Sequence, residues 1–414
     1  MHSTQRAIRC SRTARTVGAI ALALGLAVIS ARAQQTDLAP TPPMGWSTWN
    51  HFKHDISDAL VRQQADALVS SGMRDAGYVY VNIDGGWEGY RDAQGVLHPN
   101  KNFPDMKALG DYIHSKGLKF GMYTGPGPQT CAGAPASYGH VAQDAKMFAS
   151  WGVDYVKYDL CSFRKIMQQQ SGGNQARADQ IMRDAYAQMH QAILATGRPM
   201  VFSMCQYGWA KVWKWGPSVG GNLWRTTGDI SDSYARMTSI GFRQAGLARY
   251  ASPGYWNDPD ILEVGNGGMT LDEQRTHFSL WAIAAAPLIA GNDVAHMTPE
   301  TRSILLNKAV IAIDQDPLGR AGDRVSAEGP LEVWKRPLVH GDMAVALFNR
   351  SDAPQFMTVD LARLGWNGAA QAHDLWNPHT FSIAQTYTTV VPVHGVVLLR
   401  LSRATTGSNA ATMK

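Results

Sequence analysis

Cysteine is scarce in this chain, with four in 414 residues, which argues against a small fold stapled by many bridges. One of them, Cys10, lies in an N-terminal stretch with the character of a targeting segment. Arg6, Arg9, Arg12 and Arg15 precede the apolar run 17–29, and Ala31-Arg32-Ala33 has the small-x-small form of a signal-peptidase site. Residues 1–33 are therefore expected to be a signal peptide, cleaved after Ala33, and the mature chain to be secreted or periplasmic. Beyond this run no apolar stretch is long enough to span a bilayer, so no membrane partner is expected. Charge of one sign is missing as well. The formal net charge of +5 is matched by five leader arginines (Arg6, Arg9, Arg12, Arg15, Arg32), with no Lys, Asp or Glu among residues 1–33. The mature chain is neutral, and nothing in its charge balance favours nucleic acid.

Two further absences narrow the chemistry. No Gly-rich phosphate turn follows the first strand-like segment, which disfavours a dinucleotide-binding sheet. His51 and His54 are separated by two residues rather than the single residue of a His-x-His pair, and no later histidines fall at strand ends. A metal-dependent barrel hydrolase is thus a weak reading, and neither metal nor cofactor is expected.

What is present is a regular alternation from Met44 to about Asp314. Strand-like segments end near Trp49, Asp84, Thr124, Asp159, Cys205, Asp229, Asp260 and Asp293. Amphipathic runs lie between them at 56–76, 106–116, 140–151, 175–196, 233–248 and 271–286, with 299–314 closing the series and an irregular Trp-rich connection at 210–220. This predicts an α/β fold, a (β/α)8 TIM barrel over residues 34–318. After the turn-rich Asp316-Pro317-Leu318-Gly319, short strand-like runs alternate with Gly, Asn, Asp and Pro breaks. They predict a small C-terminal antiparallel β-sandwich over 319–403. The Thr-, Ser-, Asn- and Ala-rich 404–414 is expected to be a disordered tail.

Three cysteines remain after the leader. Cys131 follows the third predicted strand and Cys161 the fourth, neighbours in a parallel sheet, so a bridge between them is expected and Cys205 is left as a buried thiol. The stretch 153–161 organises the rest. Side chains two apart share a face, so Lys157 and Asp159 stand side by side at a strand's C-terminal tip, which in a barrel is the mouth of the site. A surface strand with an ordinary ion pair has the same pattern. Asp84, Asp159, Asp229, Asp260 and Asp293 all end predicted strands, with capping the expected role of Asp293. Arg225 and Asp229 share one face by parity, as do Asp258 and Asp260. Such a mouth, with Trp46, Trp49, Trp87, Tyr123 and Trp256 nearby, suits a neutral polyhydroxylated ligand.

These residues carry a family resemblance. Pro43-Met44-Gly45-Trp46, Lys157-Tyr158-Asp159-x-Cys161, Trp224-Arg225-x-x-x-Asp229, Trp256-Asn257-Asp258-Pro259-Asp260, Leu280-Trp281-Ala282-Ile283-x-Ala285-Ala286-Pro287-Leu288 and Asp314-Gln315-Asp316-Pro317-Leu318-Gly319 occur in order. In them the chain resembles the retaining alpha-galactosidases (melibiases) of glycoside hydrolase family 27, which include alpha-N-acetylgalactosaminidases. The resemblance implies a carbohydrate substrate, Asp159 as nucleophile and Asp229 as general acid/base. It implies that Trp49, Asp84, Tyr123, Lys157, Arg225 and Asp260 shape the sugar pocket. Lys157 is expected to keep Asp159 ionised, and the negative charge across the pocket to keep Asp229 protonated.

The chain also departs from the family pattern. Members typically carry two adjacent acids, often followed by Cys, where this chain has Asp84-Gly85-Gly86-Trp87. His54 stands where some place that cysteine's partner, Gln206 replaces a commonly acidic residue near the sugar's second carbon, and Ile261 replaces Met. Related sugars (a beta-L-arabinopyranoside, an alpha-N-acetylgalactosaminide or an alpha-glucoside) and a non-catalytic sugar-binding relic are the alternatives.

Overall fold

The structure, a computed structural model, describes residues 38–403. The expected signal peptide and the expected tail at 404–414 lie outside them. In chain order the strands of the first part are β1 (Met44–Ser47), β2 (Tyr80–Ile83), β3 (Glu88–Arg91), β4 (Leu97–Pro99), β5 (Lys119–Thr124), β6 (Tyr155–Asp159), β7 (Val201–Cys205), β8 (Leu223–Arg225), β9 (Trp256–Asp258) and β10 (Leu288–Ala290). β3 and β4 form a separate antiparallel hairpin; the other eight make one parallel sheet in the order β10-β1-β2-β5-β6-β7-β8-β9. A parallel bridge between Leu262 and Ala290 joins the β9 end back to β10, with Leu262 N–H donating to Ile289 O at 2.7 Å, and closes the ring.

The helices outside form where an apolar stripe meets a cap. In the helix Gln175–Ala195, Met182, Ala185, Tyr186, Met189 and Ile193 fall on one face and are buried, and the Asn174 side chain accepts from Arg177 N–H at the start. Thr270 and Glu273 form a reciprocal capping box at the head of Leu271–Ala284. Several expected boundaries shift for identifiable reasons. The run 299–314 is two helices, Pro299–Leu305 and Lys308–Asp314, because the Asn307 side chain accepts from Ala309 and Val310 N–H and starts a second helix. The connection at 210–220 is two 3-10 turns, with Tyr207, Ala210 and Lys211 in left-handed conformations. The helix Phe163–Ser171 precedes the run 175–196 as a separate element, and the β3–β4 hairpin lies outside the expected elements. Strand β8 stops at Arg225, four residues before the expected Asp229, and β10 stops at Ala290. Asp293 instead caps the turn Val294–His296, accepting from Ala295 N–H at 3.1 Å.

The C-terminal part holds β11 (Asp323–Glu328), β12 (Leu331–Pro337), β13 (Met343–Asn349), β14 (Gln355–Asp360), β15 (Ala370–Asp374), β16 (His379–Ile383), β17 (Thr386–Val391) and β18 (Val396–Arg403). A six-stranded antiparallel sheet, β11-β12-β13-β18-β15-β16, packs on the pair β14-β17 over a core that includes Val345, Leu347, Met357, Val359, Val391 and Leu399. The opposite face of the large sheet lies on the barrel. Trp334, Ala346, Phe348 and Leu398 belong to the same apolar cluster as Phe278, Leu280 and Trp281 of the helix Leu271–Ala284. Arg336 is fully buried at this junction and donates to Ala282 O at 2.6 Å and Asp314 O at 3.0 Å. Burial pushes the Asp314 carboxyl up to about 8 despite the nearby guanidinium.

Candidate active site

The C-terminal ends of the barrel strands converge on one pocket, lined among others by Trp49, Asp84, Tyr123, Lys157, Asp159, Tyr207, Arg225, Asp229 and Asp260. All eight expected catalytic and sugar-binding residues are therefore brought together. The β6 alternation places Lys157 one layer below Asp159. From there it reaches past β5 to the acid that follows β2: Lys157 Nζ lies 2.6 Å from Asp84 Oδ2, so its direct partner is Asp84 and not Asp159 as expected from the sequence. The other Asp84 oxygen accepts from Gly85 N–H at 2.8 Å.

Arg225, at the end of β8 and 3% exposed, is shared between Asp260 at 2.8 Å and Asp229 at 3.0 Å. Asp260 follows β9 with φ 102, a left-handed turn that ends the alternation expected for Asp258 and Asp260. Its Oδ2 also accepts from Ile230 N–H at 2.8 Å, while its own N–H donates to Asp258 Oδ1 at 2.8 Å. Asp258 is thereby a support for the loop beneath the pocket, and burial pushes its carboxyl up to about 6.

The two candidate catalytic acids sit in unlike surroundings. Asp159 is 6% exposed. Burial raises its pKa, opposed by Lys157 and by a hydrogen bond donated by Tyr207 Oη to Asp159 Oδ1 at 2.5 Å. The Asp229 side chain is 72% exposed on the loop after β8. Partial burial pushes it up, but Arg225 and then Lys157 outweigh this and hold it below the usual carboxylate range. This reverses the expected order. The sequence placed Lys157 beside Asp159 and negative charge around Asp229, whereas the folded chain gives Lys157 to Asp84 and Arg225 to Asp229.

Tyr207 is the principal residue that sequence reasoning missed. It follows β7 with φ 60, and this left-handed turn carries its ring over the pocket. The signal available in the sequence was the following Gly208, also left-handed with φ 79. Among the expected aromatics, Trp46, Trp87 and Trp256 are fully buried and donate to backbone oxygens of Asn292, Tyr123 and Ala39 respectively, so they hold the barrel and do not line the pocket. Cys131 and Cys161 are joined by a disulfide at the rim, and Cys205 is a buried free thiol. The Tyr123 hydroxyl lies 3.3 Å from Cys161 Sγ. Gly85 also lines the pocket. A Cβ built there would sit 3.4 Å from Tyr123 Cε1, in ordinary contact, with no left-handed backbone to oppose it.

A family model described as alpha galactosidase A matches residues 41–316, and one described as the alpha galactosidase C-terminal beta sandwich domain matches 328–401. The chain belongs to the alpha-galactosidase A family. It is 44% identical to the alpha-galactosidase A of Cellvibrio japonicus over 92% of this chain and 98% of that protein. It is 47% identical to the alpha-galactosidase of Cyamopsis tetragonoloba, over 84% and 83%. The crystal structure of alpha-galactosidase I from Mortierella vinacea superposes with a TM-score of 0.82 at 33% identity, covering 89% of this chain and 99% of that one. This alpha-galactosidase family member is a glycoside hydrolase with a TIM barrel and a C-terminal β-sandwich.

Proposed function

We propose that the protein is a secreted exo-glycosidase that removes terminal non-reducing alpha-D-galactosyl residues by double displacement with net retention. The observation carrying this reading is the asymmetry between two carboxylates on one pocket: Asp159 is buried on a strand end and bonded by Tyr207, while Asp229 is exposed on a loop. Asp159 attacks the anomeric carbon and forms a sugar ester as Asp229 protonates the leaving oxygen. A bound sugar displaces water from the exposed face of Asp229, and that desolvation raises its pKa toward the protonated form the first step needs. Ester formation removes the negative charge of Asp159, so Asp229 becomes more acidic and serves as base for the incoming water. Asp84, Lys157, Arg225 and Asp260 bond sugar hydroxyls, and Trp49 and Tyr123 pack on the sugar's C–H face. A galactosyl fluoride bearing fluorine at the second carbon tests the assignment: mass mapping finds the label on the Asp159 peptide, and labelling of any other peptide overturns it.

Gly85 supports a second reading on the same mechanism. With Asp84 the acid at that edge and open room at Gly85, recognition of the fourth and sixth sugar positions is relaxed, and a beta-L-arabinopyranoside becomes a competing substrate. Turnover of matched nitrophenyl glycosides ranks the two sugars directly.

A further inference from the structure

A second cavity, of about 360 Å3, lies far along the chain from the catalytic residues, at the open edge of the sandwich between β14 and the β11–β12 hairpin. Its size falls in the range of about 300–1,000 Å3 usual for ligand sites. Its floor is apolar, made by Leu331, Val333, Met357 and Leu364. Its rim is polar and carries both signs of charge, with Glu328, Asp360 and Arg363 beside the hydroxyls of Ser326, Thr358 and Thr386. Phe356, also part of its lining, is 76% exposed and stands directly opposite Val390, which is 47% exposed, on the outer face of the β14–β17 pair. Folding gains little from an aromatic ring left in water, so the ring is available to cover something else.

The rim chemistry decides what that is. Arg363 lies 3.7 Å from Asp360 Oδ2 and its side chain is 73% exposed, which leaves the guanidinium with free donors, while Asp360 Oδ1 already accepts from the N–H groups of Ala362 and Arg363. Opposite charges side by side do not select an anion or a cation. An aromatic face next to paired carboxylate, guanidinium and hydroxyl groups repeats the residue types that line the catalytic pocket, and suits a neutral polyhydroxylated ring.

We propose that this cleft is a non-catalytic carbohydrate-binding site, which holds a galactosyl-bearing polysaccharide on the sandwich while the barrel works on its side groups. The proposal rests on the galactosidase reading given above. Tethering a polymer at one site raises its effective concentration at the other without any new catalytic group.

Native gels cast with galactomannan test it, using Asp159→Ala protein so that the polymer is not trimmed during the run. The expected result is retardation of about twofold or more that disappears when Phe356→Ala or Arg363→Ala is added. In the otherwise unmodified enzyme, each of these two changes leaves nitrophenyl alpha-galactoside turnover within about twofold. Absent retardation, or retardation that survives both substitutions, overturns the proposal. So does a chain that sediments as a dimer and is dissociated by Phe356→Ala, because the face is then an interface between copies. Failure of the galactosidase reading is seen separately, as absent nitrophenyl galactoside turnover by the unmodified protein.

Discussion

Asp159 and Asp229 carry the same carboxyl group in opposite settings. The first is fixed by strand β6, shielded from water and bonded by a tyrosine hydroxyl; the second stands on a loop, mostly in solvent, tied by one arginine. The difference teaches that role follows from surroundings and not from residue type. A nucleophile must be placed to within a fraction of an ångström, which a strand end does well. A proton donor and acceptor must change its affinity during the cycle, which an exposed group does as water is displaced and neighbouring charge comes and goes.

The largest break in this comparison comes from removing the buried member. Asp159→Ala is expected to lower turnover by about 10^4-fold or more on every substrate, whatever its leaving group. Its melting temperature stays at or above that of the parent, since an unfavourably buried charge is lost. Asp229→Ala splits by substrate. Hydrolysis of an unactivated disaccharide falls by about 10^3-fold, while a dinitrophenyl galactoside still releases its phenol in a burst and then stalls at the ester. Equal losses on both substrates sink the acid/base role.

A smaller effect sharpens the comparison from the tyrosine side. Tyr207→Phe deletes a charge-assisted bond to Asp159 and is expected to cost about ten- to a hundredfold in kcat/KM. The sign on pH is definite: the bond stabilises the ionised carboxylate, so its loss raises the Asp159 pKa and moves the acid limb of the pH–rate profile upward. An unmoved limb leaves Tyr207 with a packing role only. The smallest change is Gly85→Asp, which is expected to raise the ratio of alpha-galactoside to beta-L-arabinopyranoside turnover by about tenfold. An unchanged or lower ratio shows that another side chain already supplies the missing bond.

The barrel was legible because its alternating strands and helices repeat over nearly three hundred residues, and five of the expected strand ends carry an aspartate. The eight expected sugar-site and catalytic positions, taken from the family resemblance, gather on one pocket. What could not be read was how the cations reach their carboxylates. Lys157 and Asp159 are two apart in sequence, yet the curvature of a closed sheet hands the lysine to Asp84, just beyond β2. Arg225 and Asp229 were expected to share a strand face; they meet because a loop folds back after β8. Tyr207 escaped because its placement depends on a left-handed turn that no periodicity announces.

The turn 316–319 is a border in the text of the chain but not in its mechanics. Arg336 reaches back from the sandwich to carbonyl oxygens of the barrel's helix Leu271–Ala284 and of Asp314, and Trp334 and Phe348 share one apolar cluster with that helix. A barrel severed at the border would meet water with a face built for oil, and two backbone oxygens would lose a buried cation's donors. The sandwich is thus the closing wall of the enzyme and not a portable attachment. Grafts, swaps and truncations in this fold need their seams elsewhere.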